Sequence, residues 1–232
     1  MRLSTTRFLK ILLSNFFIQT SWSFAAMQEL GFLTSLKMVL SKDSQKKMIA
    51  THKGIFNTHP YMSSYIIGAT VRAYDEGIDT PEEIKNFISI SEKSFASAGD
   101  LLIWQTMRPA LLLMATIVSL HFGIVGPILF LVLYTVFHLF HRIKGIYDGY
   151  SRGWDVIYCL KSTRFTSVQY LFENLGALSC GLLISLISLQ INYLLIVPLS
   201  VFFILLLVRG ISRVTIIVVF MLLLVLMAWT HL

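Results

Sequence analysis

Charged side chains are scarce in this sequence, and their scarcity excludes an ordinary soluble globular protein. Only 13% of the residues are charged, whereas 56% are hydrophobic and the mean hydropathy is +0.73. A soluble domain of 232 residues could not bury that much apolar surface, so the lipid bilayer is the expected solvent. Charges are absent from residues 109–141 and 174–208. Each tract exceeds the roughly 20 residues that one perpendicular transmembrane helix needs.

Several kinds of chemical site are missing as well. Cys159 and Cys180 have no paired spacing and no neighbouring histidine cluster, which argues against a disulfide framework or a metal site. The sequence contains no glycine-rich phosphate loop, nucleophile elbow or paired-carboxylate motif. The net charge of +7 comes from basic residues that flank apolar tracts, which is typical of membrane orientation and not of nucleic-acid binding. We therefore expect no cofactor, no metal and no nucleic-acid partner.

The sequence divides near residue 108 into two regions of different character. Residues 1–108 carry most of the charges and are predicted to form amphipathic helices that are interfacial, re-entrant or packed on a partner. Residues 109–232 are predicted to form a transmembrane region with about five hydrophobic segments. Two segments form a hairpin over 109–141, two form a second hairpin over 174–208, and the last is a final span over 214–232. A basic cytoplasmic loop over 142–173 connects the two hairpins. The predicted fold class is all-α, in a polytopic integral membrane protein.

The first region contains two clear helix signals. Apolar residues recur at spacings of three and four, which predicts an amphipathic helix; they are Phe8, Leu9, Leu12, Leu13, Phe16 and Phe17. The opposite face carries Lys10, Asn15 and Gln19. Residues 1–26 resemble a secretory signal peptide. The helical period of the apolar residues continues beyond them, however, which favours a helix that is not cleaved from the protein. Farther along, Gly77, Thr80 and Pro81, followed by two glutamates, predict a turn and then the capped start of another helix.

The densest group of polar residues lies at the entry to the first hairpin. It comprises Gly99, Asp100, Trp104, Thr106 and Arg108. A carboxylate accepts paired hydrogen bonds from sugar hydroxyls, an aromatic ring stacks on a pyranose, and a glycine lets backbone amides approach. In an α-helix, Asp100, Trp104 and Arg108 would share one face. The same residues also fit an interfacial anchor with Trp104 in an aromatic belt, and spacing alone does not separate these alternatives.

Histidines mark two further candidate positions. The first group comprises Asn57, Thr58, His59 and Pro60, and it predicts a turn in which Asn57 and Thr58 satisfy free amides. A structural turn is favoured over a role for His59 as phosphoacceptor or metal ligand, because no carboxylate or second ligand lies at a useful spacing. His138 and His141 lie three residues apart, and we interpret them as polar tips at the membrane interface in preference to a metal pair or proton relay.

These motifs resemble one known family, the IID subunits of the mannose, fructose and sorbose phosphotransferase permeases. The matching residues, spread over roughly 12–153, are Ser21, Trp22, Met27, Gln28, Leu30, Gly31, Phe32, the turn at 56–60, Gly99, Asp100, Trp104, Thr106, Arg108, Pro109, Gly126, Pro127, His138, Gly145, Tyr147, Gly149 and Tyr150. The sequence departs from the family pattern before Gly99, where the segment Lys93 to Ala98 replaces a glycine- and proline-rich approach. It departs again at Gln105, where a small residue is common.

The resemblance implies a multi-pass protein of the cytoplasmic (inner) membrane that binds and translocates a hexose together with a IIC subunit. IIA and IIB phosphocarrier proteins would then phosphorylate the sugar, so no catalytic phosphohistidine is expected on this chain. The resemblance also implies that residues 99–108 contribute to sugar binding and that IIC and IID form hetero-oligomeric pairs. The alternative is a degenerate IID-like scaffold or regulatory subunit that has no transport activity.

Overall fold

The computed structural model describes residues 3–188, except Lys53 and Asp79, and isolated positions between 201 and 219. The chain divides into two compact units, residues 1–180 and 181–232, and the features described below belong to the first, apart from the end of the last described helix. The described residues form helices and turns, with isolated β-bridges from Met27 to Ser23 and to Phe56. The all-α prediction is therefore confirmed for this part of the chain. Most of the second predicted hairpin and of the final span at 214–232 lies outside the described residues.

The helices follow one another with short connections. The first five are α1 (Thr5–Phe16), α2 (Glu29–Lys37), α3 (Lys42–Thr51), α4 (Ser63–Asp75) and α5 (Pro81–Gly99). The chain continues from α5 into a π-helix at Asp100–Met107 and then into α6 (Arg108–Phe122). After a turn at Gly123, whose φ is 54°, come α7 (Val125–Arg152), a 3-10 helix (Gly153–Lys161) and α8 (Thr163–Ser188).

Local sequence explains where α1 and α5 begin. The hydroxyl of Ser4 accepts a hydrogen bond from the N–H of Arg7 at 3.4 Å, which satisfies a free amide at the start of α1. α5 begins with Pro81 and two glutamates, as predicted, and Gly77 holds a φ of 75° in the preceding turn. Thr80 occupies the N-cap position with an extended backbone, but its side chain forms no capping hydrogen bond within the described residues.

The core of the first unit surrounds α4. Every residue from Ser63 to Tyr74 is buried except Arg72, so this helix is enclosed on nearly all sides. α4 lies very close to α7, because a Cβ atom on Gly149 would strike the backbone carbonyl oxygen of Tyr65. Glycine at this crossing lets the two helix backbones approach more closely than a larger residue would allow.

α1 forms as predicted, but Asn15 of the predicted polar face is buried, whereas Lys10 and Gln19 of that face are exposed. Asn15 and Ile11 are fully buried, whereas Leu9 is 49% and Leu13 59% exposed. The amide of Asn15 donates to the hydroxyl of Ser63 at 2.7 Å, and this bond offsets the cost of burying the amide. Much of the predicted apolar face is therefore presented to the surroundings, as expected where lipid or a partner protein replaces water.

Two described helical stretches are long and apolar enough to cross a membrane, residues 81–122 and 125–161. The first predicted hairpin, residues 109–141, carries large apolar side chains that are exposed; among them are Leu112, Leu120, Ile124, Ile128, Leu131 and Val136. By length and composition, these stretches fit the predicted membrane region. The number of spans in the whole chain stays a prediction.

The segment at 142–173, predicted as a basic loop, is mostly helical. α7 continues to Arg152, the 3-10 helix follows directly, and α8 begins at Thr163. The charges here are compatible with helices because they lie on helix surfaces; Lys144 and Asp148, for example, form an i,i+4 ion pair on α7. Helices within the segment do not contradict a loop that connects membrane segments, so the cytoplasmic loop at 142–173 stays a prediction.

Candidate functional site

Most of the group predicted at residues 99–108 lies on the π-helix, with Gly99 at the end of α5 and Arg108 at the start of α6. The helix passes from α to π geometry at Asp100 and returns to α geometry at Arg108. Hydrogen bonds in a π-helix run between residues i and i+5, and such segments are frequent at functional sites. Trp104 is 45% exposed, Arg108 is exposed and Asp100 is partly exposed. The side chains that pack into the core are those of Leu102, Ile103 and Met107. The π-helix and the first residue of α6 thus keep a carboxylate, an indole and a guanidinium at least partly accessible.

His59 brings the two predicted motifs together. Its imidazole lies against Gly99, where a Cβ atom would strike the ring. Its ring centroid is 5.0 Å from that of Trp104, with the planes tilted by 60°. Gly99 is itself buried, and a glycine is needed there because any side chain would occupy the space of the His59 ring. The hydroxyl of Thr106 donates to the carbonyl of Leu101 within the π-helix.

Burial keeps His59 neutral. The residue is 1% exposed, and desolvation, reinforced by the nearby charges of His141 and Arg142, lowers its pKa to about 3. Its Nδ1 accepts the N–H of Tyr61 at 3.3 Å, so the proton is assigned to Nε2. That nitrogen has no hydrogen-bond partner among the described residues. Because the ring is 1% exposed, it can support Trp104 but is not accessible to a phosphoryl donor.

The turn that contains His59 is held by side chains from distant helices. The amide of Gln28 accepts the N–H of Thr58 at 3.3 Å and donates to the carbonyl of Thr58 at 2.9 Å. The carboxylate of Glu92 accepts the N–H of Asn57 at 3.2 Å, while the Thr58 hydroxyl donates to the carbonyl of Glu92 at 3.0 Å. The amides of this turn are thus satisfied by Gln28 and Glu92, and not by the side chains of Asn57 and Thr58 as predicted. Sequence spacing gave no signal for partners this far away.

A buried polar network next to the turn was missed by sequence reasoning. Arg142 is 5% exposed, and its guanidinium donates to both the side-chain and the main-chain oxygen of Asn15. The guanidinium carbon lies 5.0 Å from the centroid of the Tyr61 ring, a cation–π contact. Tyr61 also stacks on His138 at 4.9 Å. The signal that could have revealed it is a charged residue, Arg142, directly after a charge-free tract.

The same network corrects the interpretation of His141. This residue was expected to be an interfacial tip, but it is only 7% exposed, and its Nδ1 lies 3.3 Å from the hydroxyl oxygen of Tyr65. Ring contacts connect the network to the predicted site, since the His59 and Tyr61 centroids are 5.1 Å apart. The accessible groups of the site can accept and donate hydrogen bonds and offer an aromatic face. No cluster of three or more metal-ligating side chains occurs among the described residues.

Comparison with known proteins points to one family. Residues 2–232 match the family described as the PTS system mannose/fructose/sorbose family IID component. The chain is 30% identical over 181 residues to the PTS system mannose-specific EIID component of Escherichia coli strain K12, covering 71% of this chain. It is 30% identical over 179 residues to the sorbose-specific EIID component of Lacticaseibacillus casei, covering 73% of this chain. The chain spans 63% of the length of each of these relatives.

Two solved structures share the fold. One is a chain in a cryo-EM structure of the mannose transporter ManYZ in complex with microcin E492, with a TM-score of 0.59 and 21% identity; the match covers 100% of this chain and 98% of that one. The other, described as a membrane protein, has a TM-score of 0.72 and 21% identity, with 97% and 96% covered. At 21% identity, the similarity to these two structures shows a shared fold and does not by itself show a shared function.

Proposed function

This chain belongs to the mannose/fructose/sorbose family of PTS IID components, and we propose that it forms a sugar permease with a IIC subunit in the cytoplasmic (inner) membrane. The pair binds a hexose and carries it inward, where IIA and IIB phosphocarrier proteins phosphorylate it. The hexose contacts Asp100, Trp104, Thr106 and Arg108, and Gly99 makes room for the ring that supports them. The single observation that carries this proposal is the exposure of Trp104 and Arg108, with partial exposure of Asp100, beside the buried ring of His59.

The chemistry of these accessible side chains suits a neutral sugar. The carboxylate of Asp100 can accept two hydroxyl hydrogen bonds, and the guanidinium of Arg108 can donate several. Trp104 offers an indole ring, and His59 restricts the movement of that ring through their contact at 5.0 Å. A positioned aromatic ring binds more tightly than a mobile one, because less conformational entropy is lost when the ligand arrives. His59 is therefore a positioning residue in this proposal.

A IIC partner accounts for apolar surface that the chain leaves uncovered. On and just after α1, Leu13 is 59%, Phe17 65% and Phe24 87% exposed. Several large apolar side chains exposed within a short stretch of chain are typical of a protein or membrane contact. We propose that the region 1–108 packs partly on IIC, and that 109–232 crosses the membrane several times with the basic segment 142–173 on the cytoplasmic side.

Sugar uptake in cells that supply IIC, IIA and IIB tests the site. Asp100→Asn and Trp104→Ala should each lower uptake by about tenfold or more, because a charge-assisted hydrogen bond or a stacking contact is lost. Trp104→Tyr keeps an aromatic ring and should retain much of the uptake. Asp43→Asn, which removes an exposed carboxylate on α3, is the matched control and should have no effect.

Two other results would change the proposal. Normal uptake by both Asp100→Asn and Trp104→Ala, with normal membrane insertion, would remove these residues from the binding site. A wild-type chain that copurifies with IIC but supports no uptake would favour the alternative, an IID-like scaffold or regulatory subunit.

A further inference from the structure

A cavity of about 730 Å³ is lined by α7, α4, Leu102 of the π-helix, the segment that joins α7 to α8 and the start of α8. His141, which belongs to the buried network described above, is one of its lining residues. Its α7 wall changes character along the helix. Phe137 and Phe140 line one end, whereas Lys144 and Arg152 line the other. At 1.5 Å per residue, Phe137 and Arg152 are roughly 22 Å apart along the helix. The cavity is thus apolar at one end and cationic at the other.

The opposite wall repeats this division. Lys161 and Arg164 line the cavity near the start of α8, Phe165 comes directly after Arg164, and Val168 follows about one turn later. The Phe137 and Phe172 rings meet with centroids 5.6 Å apart, so the apolar part of α8 lies beside the apolar part of α7. The cationic side chains of α7 and α8 therefore lie at the same end of the cavity, and their apolar side chains lie at the other end.

The charge in this cavity is largely uncompensated. Its lining contains four cationic side chains, Lys144, Arg152, Lys161 and Arg164, and one carboxylate, that of Asp148. Asp148 is paired with Lys144. Arg152, Lys161 and Arg164 form no ion pair with any other described residue. The first N–H groups of α8, at Thr163 and after, add partial positive charge to the same end.

We infer that this cavity binds an anionic phospholipid. Its phosphodiester contacts Lys161, Arg164 and Arg152, which can surround a phosphate with charge-assisted hydrogen bonds. Its acyl chains lie along the phenylalanines at the apolar end, where they remain out of water. A phosphate ion alone would leave the apolar half unused, and a neutral lipid would leave the cations unpaired. Basic pockets between membrane helices commonly bind anionic lipid headgroups in this way.

Lipid retention measures this site directly. The full-length chain is placed in nanodiscs that contain phosphatidylcholine with a minor fraction of phosphatidylglycerol, and the lipid retained after extraction is counted by mass spectrometry. The wild-type chain should retain phosphatidylglycerol well above its fraction in the disc. The double variant K161Q/R164Q should weaken that binding by roughly tenfold or more, because each cation near a membrane surface contributes severalfold to anionic lipid binding.

Two further variants keep the test specific. K161R/R164K preserves both charges and should bind as the wild-type chain does, which also reports on folding. K42Q/K46Q removes two exposed lysines from α3, far from the cavity lining, and should leave retention unchanged. The inference is overturned if K161Q/R164Q and K42Q/K46Q behave alike, or if phosphatidylcholine is retained as well as phosphatidylglycerol. Full displacement of the lipid by millimolar inorganic phosphate or glycerol phosphate would identify a free-phosphate site instead.

Discussion

In the first unit, the region before residue 108 is richer in charged residues but supplies most of the core, whereas the more apolar region after it is largely exposed. The region before residue 108 contains most of the charges, yet it supplies most of the core, including Leu36, Ile66 and Phe95 at 0% exposure. The region after it is almost purely apolar between residues 109 and 141, yet Ile128 is 52% and Leu131 60% exposed. Hydrophobic content alone therefore does not locate the core of a chain whose solvent is lipid.

The comparison also shows what holds each region together. The first region relies on polar contacts between distant segments, such as the paired hydrogen bonds of Arg7 to Asp75 at 2.8 and 2.9 Å. The hydroxyl of Tyr150 on α7 donates to the same carboxylate at 2.9 Å. The second region joins the first mainly along α4 and α7, where small residues allow close packing. The regions are thus connected by a few specific sites, which substitutions can test.

The largest loss of stability is expected when the hydrogen bond between Asn15 and Arg142 is removed. This bond joins the region before residue 108 to the region after it. Asn15→Leu removes the side-chain acceptor of a buried guanidinium, so the free energy of unfolding should fall by about 3 kcal/mol. The melting temperature in detergent micelles measures this change. Gln19→Leu makes the same substitution at an exposed position and should change stability by less than about 0.5 kcal/mol. Equal melting of the two variants would show that the buried bond does not join the regions.

A smaller loss is expected at the crossing of α4 and α7. Gly149→Ala places a methyl group against the backbone carbonyl of Tyr65, which cannot move without shifting α4, and should cost about 2 kcal/mol. Gly176→Ala is the matched control, because its Cβ would meet that of Ala110 at 3.4 Å, an ordinary contact. If Gly149→Ala melts no lower than Gly176→Ala, the close packing of the two helices is not needed for stability.

The smallest effect is a pH dependence of the first region. The pKa of His59 is lowered to about 3 in the folded chain, below the usual value of 6.5, so the unfolded chain binds the proton first. Stability should therefore fall as the pH decreases from about 6.5 towards 3, by roughly 1 kcal/mol between pH 7.5 and pH 6. His52, whose pKa burial lowers to about 4, contributes a further loss in the same direction.

Melting curves of variants at several pH values separate these contributions. His59→Gln should reduce the loss of stability at low pH, whereas His121→Gln, at an exposed position on α6, should not alter it. Identical pH profiles for the wild-type chain and His59→Gln would mean that His59 is not buried in its neutral form.

The candidate site was predictable in part. Asp100, Trp104 and Arg108 were selected because a carboxylate, an indole and a guanidinium lie at regular spacing beside an apolar tract, and the structure leaves all three at least partly exposed. The π-helix was not predicted, because one extra residue per hydrogen-bonded turn leaves no composition signal. The support given by Gln28 and Glu92 was not predicted either, since both act on Thr58 from about 30 residues away.

By itself, the sequence determined the all-α class, the helix start at Pro81, the membrane character of the apolar tracts and the resemblance to the IID family. These depend on local spacing and composition, which are properties of neighbouring residues. Only the tertiary structure decided that Asn15 faces inward, that Arg142 is buried beside it and that His59 lies between Gly99 and Trp104. Each of these depends on which distant helices meet, and the burial of a polar group becomes favourable only when its partner arrives from elsewhere in the chain.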